Sequence, residues 1–360
     1  MKNILFSFFP CILFLTASAQ NKTQLEYTNA ETLTIIGKGI ETANVYNRVD
    51  TAKYKGLPAK VAQLLTNSAG LGIRFTTNST VISAKWCVSK SRALANMSPI
   101  AHKGVDLYIK NGDTWQFASV GKPSGVCNDE IIISRMDNSQ KECLLYLPLY
   151  DVVTNVEIGI EKEATIQAAA EPFTGKVLIY GSSIVHGAGA SRPGMAYPAR
   201  LARQTGINFI NLGLSGNARM EPEVVDMLTT IKADAYILDC VPNTNPQLIK
   251  ERTAYLVNAI RKKYPEVPII VMQSVVRESG YWDKVLGDQV KNQNINIQQE
   301  VLKLLQKDMQ HLYFITSENM LGSDHEGTVD GVHPTDLGYD RMLNHIRPLL
   351  TEILSKYNIK

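Results

Sequence analysis

Three side chains in the second half of the sequence have the types and spacing needed for acyl transfer. Ser183 follows the apolar run KVLIYG in a glycine-rich turn, and Asp330 stands three residues before His333. An aspartate in this position can hold one nitrogen of the imidazole, which leaves the other nitrogen free to act as a general base toward a serine. The pattern is compatible with a nucleophilic serine, although most serines in such turns only cap a helix.

Two further segments contain groups that could donate hydrogen bonds to an oxyanion. Gly216 lies in NLGLSGN and Asn243 in DCVPN, each shortly after an apolar run. A glycine can bring its N–H close to a substrate because it has no side chain, but it can equally serve only as a turn residue. The amide of an asparagine can donate to an oxyanion or cap a helix. The residues alone leave both alternatives open.

Other chemistries fit these turns less well. The turn after KVLIYG has neither the Gly-Lys-Ser/Thr ending of a phosphate-binding loop nor the GxGxxG spacing of a dinucleotide site. Asp324 and His325 could join Asp330 and His333 as metal ligands, but no cysteine or third histidine completes a zinc set and HExxH is absent. We therefore expect no metal and no other cofactor. His186 lies inside the first turn, and this position makes it a poorer candidate base than His333.

The first half of the chain has the sequence pattern of an all-β domain. Short β-rich segments separated by turn residues predict an antiparallel β-sandwich over residues 20–172, because no long amphipathic helix interrupts them. Asn111 and Gly112 mark a hairpin turn, since this pair readily adopts positive φ. Cys127 and Cys143 flank a predicted strand pair and could form a disulfide, but buried free thiols fit the sequence equally well.

The second half, residues 173–360, alternates strands and helices. Its five apolar runs are KVLIYG, INFINLGLSG, DAYILDCV, VPIIVMQSV and HLYFITS. Segments with helical periodicity separate them, and a last helix is predicted from about Pro334 to Lys356 with the proline in its first turn. Strands that are apolar on both faces predict a parallel sheet covered by helices on both sides. Ligands bind such sheets at the carboxyl ends of the strands, where the candidate side chains lie.

The N-terminal segment MKNILFSFFPCILFLTASAQ has one lysine, an apolar stretch and the small residues Ala17, Ser18 and Ala19. It predicts a signal peptide over residues 1–19 and export to the periplasm or the cell exterior. The segment fits a membrane anchor less well, because its apolar run is shorter than the roughly 20 residues that a spanning helix needs. A net charge of +3 on 360 residues gives no reason to expect a nucleic-acid partner. The sequence does not set the oligomeric state.

The order of these features resembles the SGNH, or GDSL-type, hydrolase superfamily. The resemblance covers the second half and implies a flavodoxin-like three-layer αβα fold with a five-stranded parallel sheet. It also implies roles for five residues: Ser183 as nucleophile, His333 as base, Asp330 as acid, and Gly216 and Asn243, with the backbone N–H of Ser183, as the oxyanion hole. The stretch GVDLYIK is similar to the GxDLY-type β domain, jelly-roll-like in form, that precedes one branch of these enzymes, and SRPGMAY and DCVPN also fit that branch.

The sequence departs from the commoner family pattern at two places. Ser182 stands where aspartate usually precedes the nucleophile, and we expect a structural role for it. Val241 and Thr244 replace the glycine and aspartate of the usual GxND block. Both changes fit the GxDLY branch, so they bear on substrate more than on mechanism.

The resemblance implies a secreted serine esterase that hydrolyses short acyl esters, acetyl above all, on carbohydrate. The alternatives are a catalytically weak glycan-binding or scaffold protein, and a thioesterase or lipase that uses the same residues. Trp115, Tyr281 and Trp282 could stack on sugar rings, although an isolated aromatic side chain more often belongs to the core. We expect a small-molecule or glycan ester as the substrate.

Overall fold

Residues 24–360 are described by a computed structural model, and the predicted signal peptide therefore lies outside the described residues. The first half contains ten strands and two short helices. They are β1 (Leu25–Asn29), β2 (Thr34–Ile36), α1 (Ala59–Leu65), β3 (Gly72–Thr77), β4 (Ile82–Val88), α2 (Pro99–Lys103), β5 (Val105–Asn111), β6 (Thr114–Gly121), β7 (Cys127–Ile133), β8 (Lys141–Tyr146), β9 (Val153–Glu161) and β10 (Ile166–Ala168).

These strands form two antiparallel sheets, in the orders β1-β9-β4-β7 and β10-β3-β8-β5-β6, with β2 paired to β3. Buried side chains such as Phe75 and Trp86 fill the space between them. The predicted β-sandwich is confirmed. The predicted hairpin also forms. Asn111 ends β5 and pairs with Thr114, and the two-residue loop consists of Gly112, with a φ of 57°, and Asp113.

The disulfide differs from the pairing considered from sequence. Cys127 bonds to Cys87, and Cys143 remains a buried free thiol, as does Cys240. Cys87 and Cys127 lie directly opposite each other on the paired strands β4 and β7, with 4.0 Å between their Cα atoms. Cys143 lies on β8 in the other sheet, so the disulfide between Cys127 and Cys143 that the sequence suggested does not form.

The second half begins with β11 and contains five strands and six helices. They are β11 (Thr174–Gly181), α3 (Ser183–His186), α4 (Tyr197–Thr205), β12 (Ile207–Gly213), α5 (Pro222–Thr230), β13 (Ala235–Asp239), α6 (Pro246–Lys263), β14 (Ile269–Met272), α7 (Lys284–Gln306), β15 (Leu312–Ile315) and α8 (Asp336–Ser355). Single 3-10 turns occur at Ala30–Thr32, Thr51–Lys53, Pro193–Met195, Val241–Asn243 and Glu278–Tyr281.

The five strands are parallel and lie in the order β12-β11-β13-β14-β15, the flavodoxin-like order. Val177 and Ile179 pack into the core on one face, and Leu178 and Tyr180 into the core on the other. The predicted three-layer αβα fold is confirmed. Within residues 24–360 no helix has both the length and the apolar character needed to cross a membrane.

The last helix begins slightly later than expected. The hydroxyl of Thr335 accepts from the backbone N–H of Gly338 and caps α8, so the helix starts at Asp336. Pro334 therefore precedes the cap instead of occupying the first turn.

Two buried charged side chains join the β-sandwich to the α/β half. The guanidinium of Arg48 donates to the backbone carbonyls of Leu64 and Asn67 on its own side, and to those of Asn211 and Gly213 in β12. It thereby fixes the strand that leads to Gly216. Four backbone carbonyls surround this cation and accept from four of its five N–H donors without a counter-ion.

The second connection joins two of the motifs. Asp106 of GVDLYIK is fully buried, and it accepts from Arg192 at 2.8 and 3.0 Å and from the backbone N–H of Gly194 at 2.8 Å. Tyr108, on the same strand, lies under the guanidinium of Arg203 at 3.9 Å from the ring centre. The GVDLYIK and SRPGMAY stretches therefore form one structural unit across the domain boundary.

Candidate active site

Ser183 stands at the carboxyl end of β11, as the first residue of the single-turn helix α3. Ser182 caps that helix, since its hydroxyl accepts from the backbone N–H of Ile184 at 3.2 Å. This contact gives Ser182 a structural role and leaves the Ser183 hydroxyl free for other partners. The two adjacent serines therefore differ in their partners: the Ser182 hydroxyl contacts the helix backbone, and the Ser183 hydroxyl contacts His333.

The structure brings Ser183, His333 and Asp330 together, and we call these three residues the triad. Ser183 Oγ lies 2.8 Å from His333 Nε2, and Asp330 Oδ2 lies 2.7 Å from His333 Nδ1. Asp330 Oδ1 accepts from the backbone N–H groups of Val332 at 3.1 Å and His333 at 2.9 Å. The same carboxylate therefore shapes the turn and orients the imidazole.

The carboxyl group of Asp330 has a perturbed pKa. Partial burial raises it, but hydrogen bonds from the His333 backbone, the Asn96 side chain and the His333 imidazole outweigh that effect, and the pKa is lowered to about 2. The group is therefore ionised at neutral pH. A carboxylate in this position can stabilise the imidazolium that forms when His333 takes a proton.

Asn96 is a site residue that the sequence analysis missed. It comes from the loop between β4 and α2 of the β-sandwich, and its amide nitrogen lies 2.9 Å from Asp330 Oδ2 and 3.2 Å from His333 Nδ1. It stands 234 residues before Asp330 in the chain. No motif or periodicity in its neighbourhood signals this contact, because only the packing of the two halves creates it.

Gly216 and Asn243, the two candidate oxyanion donors, follow β12 and β13, the two strands that flank β11 in the sheet. Gly216 adopts a φ of 71°, which favours glycine, and a side chain there would meet nothing within 4 Å. Its conformation, and not lack of space, is what selects a glycine. Asn243 Oδ1 accepts from the backbone N–H of Ala218 at 3.2 Å. That bond ties the two loops together and fixes the amide so that its nitrogen faces away from Ala218.

His186 is separate from this arrangement. It is fully buried, its Nε2 bonds to the carbonyl oxygen of Leu149 at 2.8 Å, and its ring stacks on Tyr150 at 4.0 Å. Burial lowers the pKa of His186 well below its ordinary value, so the ring is neutral. These contacts describe a core histidine between the two halves of the chain.

The geometry permits one chemistry directly. A hydroxyl that contacts an imidazole nitrogen, with a carboxylate on the other nitrogen, can be deprotonated as it attacks a carbonyl carbon. As for metals, no cluster of three or more His, Cys, Asp or Glu side chains is placed to hold an ion in the part of the chain from residue 24 onward. Asp324 instead pairs with Arg341, and His325 with Glu278.

Family comparisons match both halves of the chain. Residues 174–351 match the GDSL-like lipase/acylhydrolase family, and residues 25–166 match the N-terminus of SGNH-hydrolase-type esterases. No match was found among curated proteins.

Solved structures share the fold over most of the chain. A protein from Bacteroides ovatus described as a GDSL-like lipase has a TM-score of 0.91 and 51% identity, covering 92% of this chain and 98% of its own. A salicylyl-acyltransferase from a tetracycline biosynthetic pathway has a TM-score of 0.67 at 17% identity, covering 84% and 88%. A family two carbohydrate esterase from Cellvibrio japonicus has a TM-score of 0.64 at 11% identity, covering 92% and 98%.

The last two likenesses show a shared fold and no more. The Bacteroides ovatus protein, in contrast, is 51% identical to this chain, and the match covers nearly all of both chains. Together with the two family matches, it shows that this chain is an ester hydrolase of the GDSL-like lipase/acylhydrolase, or SGNH hydrolase, family.

Proposed function

We propose that the chain is an exported serine esterase that removes short acyl groups, chiefly acetyl, from carbohydrate through an acyl-enzyme. The observation that carries the proposal is the contact of 2.8 Å between Ser183 Oγ and His333 Nε2, with Asp330 on the opposite nitrogen. Such an arrangement activates a serine for attack on an ester.

The reaction has two halves. His333 takes the proton of Ser183 Oγ as the oxygen attacks the ester carbonyl, and it then gives that proton to the leaving alcohol. A water molecule next attacks the acyl-serine, loses a proton to His333, and releases the carboxylic acid while Ser183 regains its hydrogen. Asp330 keeps its charge throughout and stabilises the imidazolium.

The negative oxygen that forms in each half requires donors. The backbone N–H groups of Ser183 and Gly216 and the amide nitrogen of Asn243 fill this role in the proposal. The bond from the Ala218 backbone to Asn243 Oδ1 supports it, because it orients the amide in advance of the reaction. Donors that need no reorganisation are the most effective in stabilising a transition state.

The substrate class is supported from outside the site. A signal-peptide-like N-terminus would place the enzyme where glycans are found, and the fold is shared with a carbohydrate esterase over 92% of this chain. The sequence contains no long amphipathic lid of the kind expected for a long-chain lipase, and a short lid would have to lie between Glu278 and Lys284.

Acetate release is the decisive assay. Purified wild type is compared with Ser183→Ala on acetylated glycans, with p-nitrophenyl acetate and p-nitrophenyl palmitate as chain-length controls. We expect acetate release by wild type alone, little cleavage of the palmitate, and labelling of Ser183 by a fluorophosphonate probe. Equal turnover by Ser183→Ala would show that the nucleophile is wrong, and a wild type that neither turns over nor labels would favour the binding-protein alternative.

Export has its own test. The full-length chain is expressed in a Gram-negative host and the cells are fractionated. We expect the mature protein outside the cytoplasm with Gln20 as its first residue. An uncleaved protein confined to the cytoplasm would contradict the proposal.

A further inference from the structure

A cavity of about 670 Å³ opens beside the triad, between the loop that carries Asp330 and His333, which we call the catalytic loop, and the segment that follows β14. We call it the side cavity. Its lining includes Glu278, Tyr281, Trp282, His325, Asp330 and Gly331. Asp330 belongs to both the triad and this lining, so a molecule bound in the cavity lies beside the residue that orients His333.

The wall of the side cavity is fastened to the catalytic loop. The backbone N–H of Glu278 donates to the carbonyl oxygen of Gly331 at 2.8 Å. Gly331 has a φ of 82°, and a Cβ built there would lie 2.4 Å from Ser279 Oγ. The segment that carries the aromatic residues thus holds a fixed place relative to Asp330 and His333.

The aromatic groups of the wall are unusually exposed. Trp282 is 90% exposed and Tyr281 47%, whereas Trp86 of the β-sandwich core is fully buried. Leaving an indole in water forfeits a large apolar burial, and here the exposed indole offers an apolar face beside the polar groups of the cavity. Tyr281 is steadied by an edge contact with the His325 ring at 4.4 Å.

The polar groups of the wall are arranged to accept and donate hydrogen bonds. Glu278 Oε2 lies 2.8 Å from His325 Nδ1, and the Glu278 side chain is only 12% exposed. Two carboxylates, Glu278 and Asp330, line the cavity with a single imidazole. This balance disfavours an anionic ligand, since like charges repel at close range.

We propose that the side cavity binds an uncharged sugar ring of the ester substrate, with Trp282 stacked on its C–H face and Glu278 accepting from its hydroxyl groups. Sugar rings present both an apolar face and a rim of hydroxyl groups, which is the combination that this wall can satisfy. The inference rests on the proposed esterase function and names the part of the substrate that the same site recognises.

The kinetic test compares two substrates. Trp282→Ala and wild type are assayed on acetylated xylo- and manno-oligosaccharides and on p-nitrophenyl acetate, which carries no sugar. We expect the variant to lose about tenfold more kcat/KM on the sugar esters than on p-nitrophenyl acetate, chiefly through KM, because only the sugar esters stack on the indole; this loss corresponds to about 1.4 kcal/mol. Val285→Ala is the matched control, since Val285 is 81% exposed nearby and does not line the cavity.

The outcomes separate the two proposals. Equal losses by Trp282→Ala on both kinds of substrate would overturn the sugar site and leave the esterase function intact. A wild type that cleaves p-nitrophenyl acetate but no sugar ester would overturn the carbohydrate substrate and the sugar site with it. A preference for acetylated oligogalacturonides over neutral esters would overturn the uncharged ligand.

A binding measurement is independent of turnover. Trp282 is one of only three tryptophans in the sequence, and it is the exposed one among Trp86, Trp115 and Trp282. Titration of Ser183→Ala with an acetylated xylo-oligosaccharide is expected to shift the tryptophan emission to the blue, and Trp282→Phe in the same background should abolish the shift. Binding detected by calorimetry without any emission change would contradict the stacking.

Discussion

Asn96 of the β-sandwich donates its side-chain amide to the carboxylate of Asp330 over 2.9 Å. The donor and the acceptor belong to different halves of the chain. The first half therefore reaches the candidate active site directly, and its packing against the α/β half helps to hold the carboxylate that orients His333.

Replacing Asn96 by alanine removes this hydrogen bond. We expect kcat on p-nitrophenyl acetate to fall about tenfold while KM changes less, because a hydrogen bond to a charged group is worth about 1.5 kcal/mol or more and Asn96 acts through Asp330. Steady-state kinetics measure both quantities. Leu94→Ala, in the same loop at an exposed position, is the control. Unchanged kcat in Asn96→Ala would show that the contact does not support the triad.

An aspartate at position 96 tests the electrostatics of the same contact. Asn96→Asp places a second carboxylate against Asp330, which raises the pKa of Asp330 by like-charge repulsion. At pH 7 we expect kcat to fall further in Asn96→Asp than in Asn96→Ala. The difference in kcat between the two variants should become smaller at lower pH, where the two neighbouring carboxyl groups share a proton. A purely structural role for Asn96 would give the two variants parallel pH profiles.

The two histidines near Ser183, one in sequence and one in space, should respond differently to replacement. His333→Ala is expected to lower kcat by about a thousandfold or more with little change in stability. His186→Ala is expected to lower the free energy of unfolding by about 3 kcal/mol, because it removes a buried stacked ring, and to keep kcat per folded molecule within severalfold. Urea unfolding and active-site titration separate the effects. The opposite pattern would identify His186 as the base.

Asn243 and Asn245 form a matched pair two residues apart. Asn243→Ala should cut kcat by about 100-fold to 1000-fold, since it removes a proposed oxyanion donor. Loss of its bond with the Ala218 backbone should cost only about 1 kcal/mol of stability. Asn245 only caps α6, where its side chain accepts from the Leu248 backbone at 2.8 Å. Asn245→Ala should cost about 1 kcal/mol of stability and leave kcat near wild type. Similar kinetics for both variants would remove Asn243 from the oxyanion hole.

Asp106 supports the boundary between the two halves. Asp106→Ala removes the carboxylate that accepts from the Arg192 guanidinium and the Gly194 N–H, so we expect a loss of about 3 kcal/mol in the free energy of unfolding. Chemical denaturation measures it. Asp113→Ala, at the exposed hairpin turn, is the control and should stay within about 0.5 kcal/mol of wild type. Equal stabilities of the two variants would show that the motif aspartate is dispensable for the fold.

Asp239 should make stability depend on pH. Complete burial raises its pKa to about 7, even though Tyr197 donates to the carboxylate at 2.9 Å. The folded state then holds a proton at this group between about pH 4 and pH 7 that the unfolded state releases, so the group's stabilising contribution is full below pH 4 and is lost as the pH rises through 7.

Urea unfolding across this pH range measures the effect. Asp239→Asn removes the titration, and the stability of wild type relative to the variant should fall by about 2 to 4 kcal/mol between pH 4 and pH 8. Parallel stability curves for the two proteins would show that Asp239 titrates normally.

Much of the architecture could be predicted from local sequence patterns. Apolar runs of strand length, helical periodicity between them and the Asn111–Gly112 turn were enough to predict the sandwich and the five-stranded sheet, because each pattern depends only on residues close together in the chain. Asp330 and His333 share one turn, so their contact is also local. The contact of Ser183 with His333 followed from the rule that parallel strands present their carboxyl ends at one edge.

The remaining features depend on contacts between distant parts of the chain. Strand register paired Cys87 with Cys127 and left Cys143 free, and the docking of the two halves placed Asn96 on Asp330 and Asp106 on Arg192. A sequence pattern indicates which face of an element is buried, but not which distant element covers it. Local patterns were therefore sufficient to predict both folds and to name Ser183, Asp330 and His333 as candidates. Which side chains of the β-sandwich reach the candidate site could not be predicted, because that depends on how two separately patterned surfaces pack together.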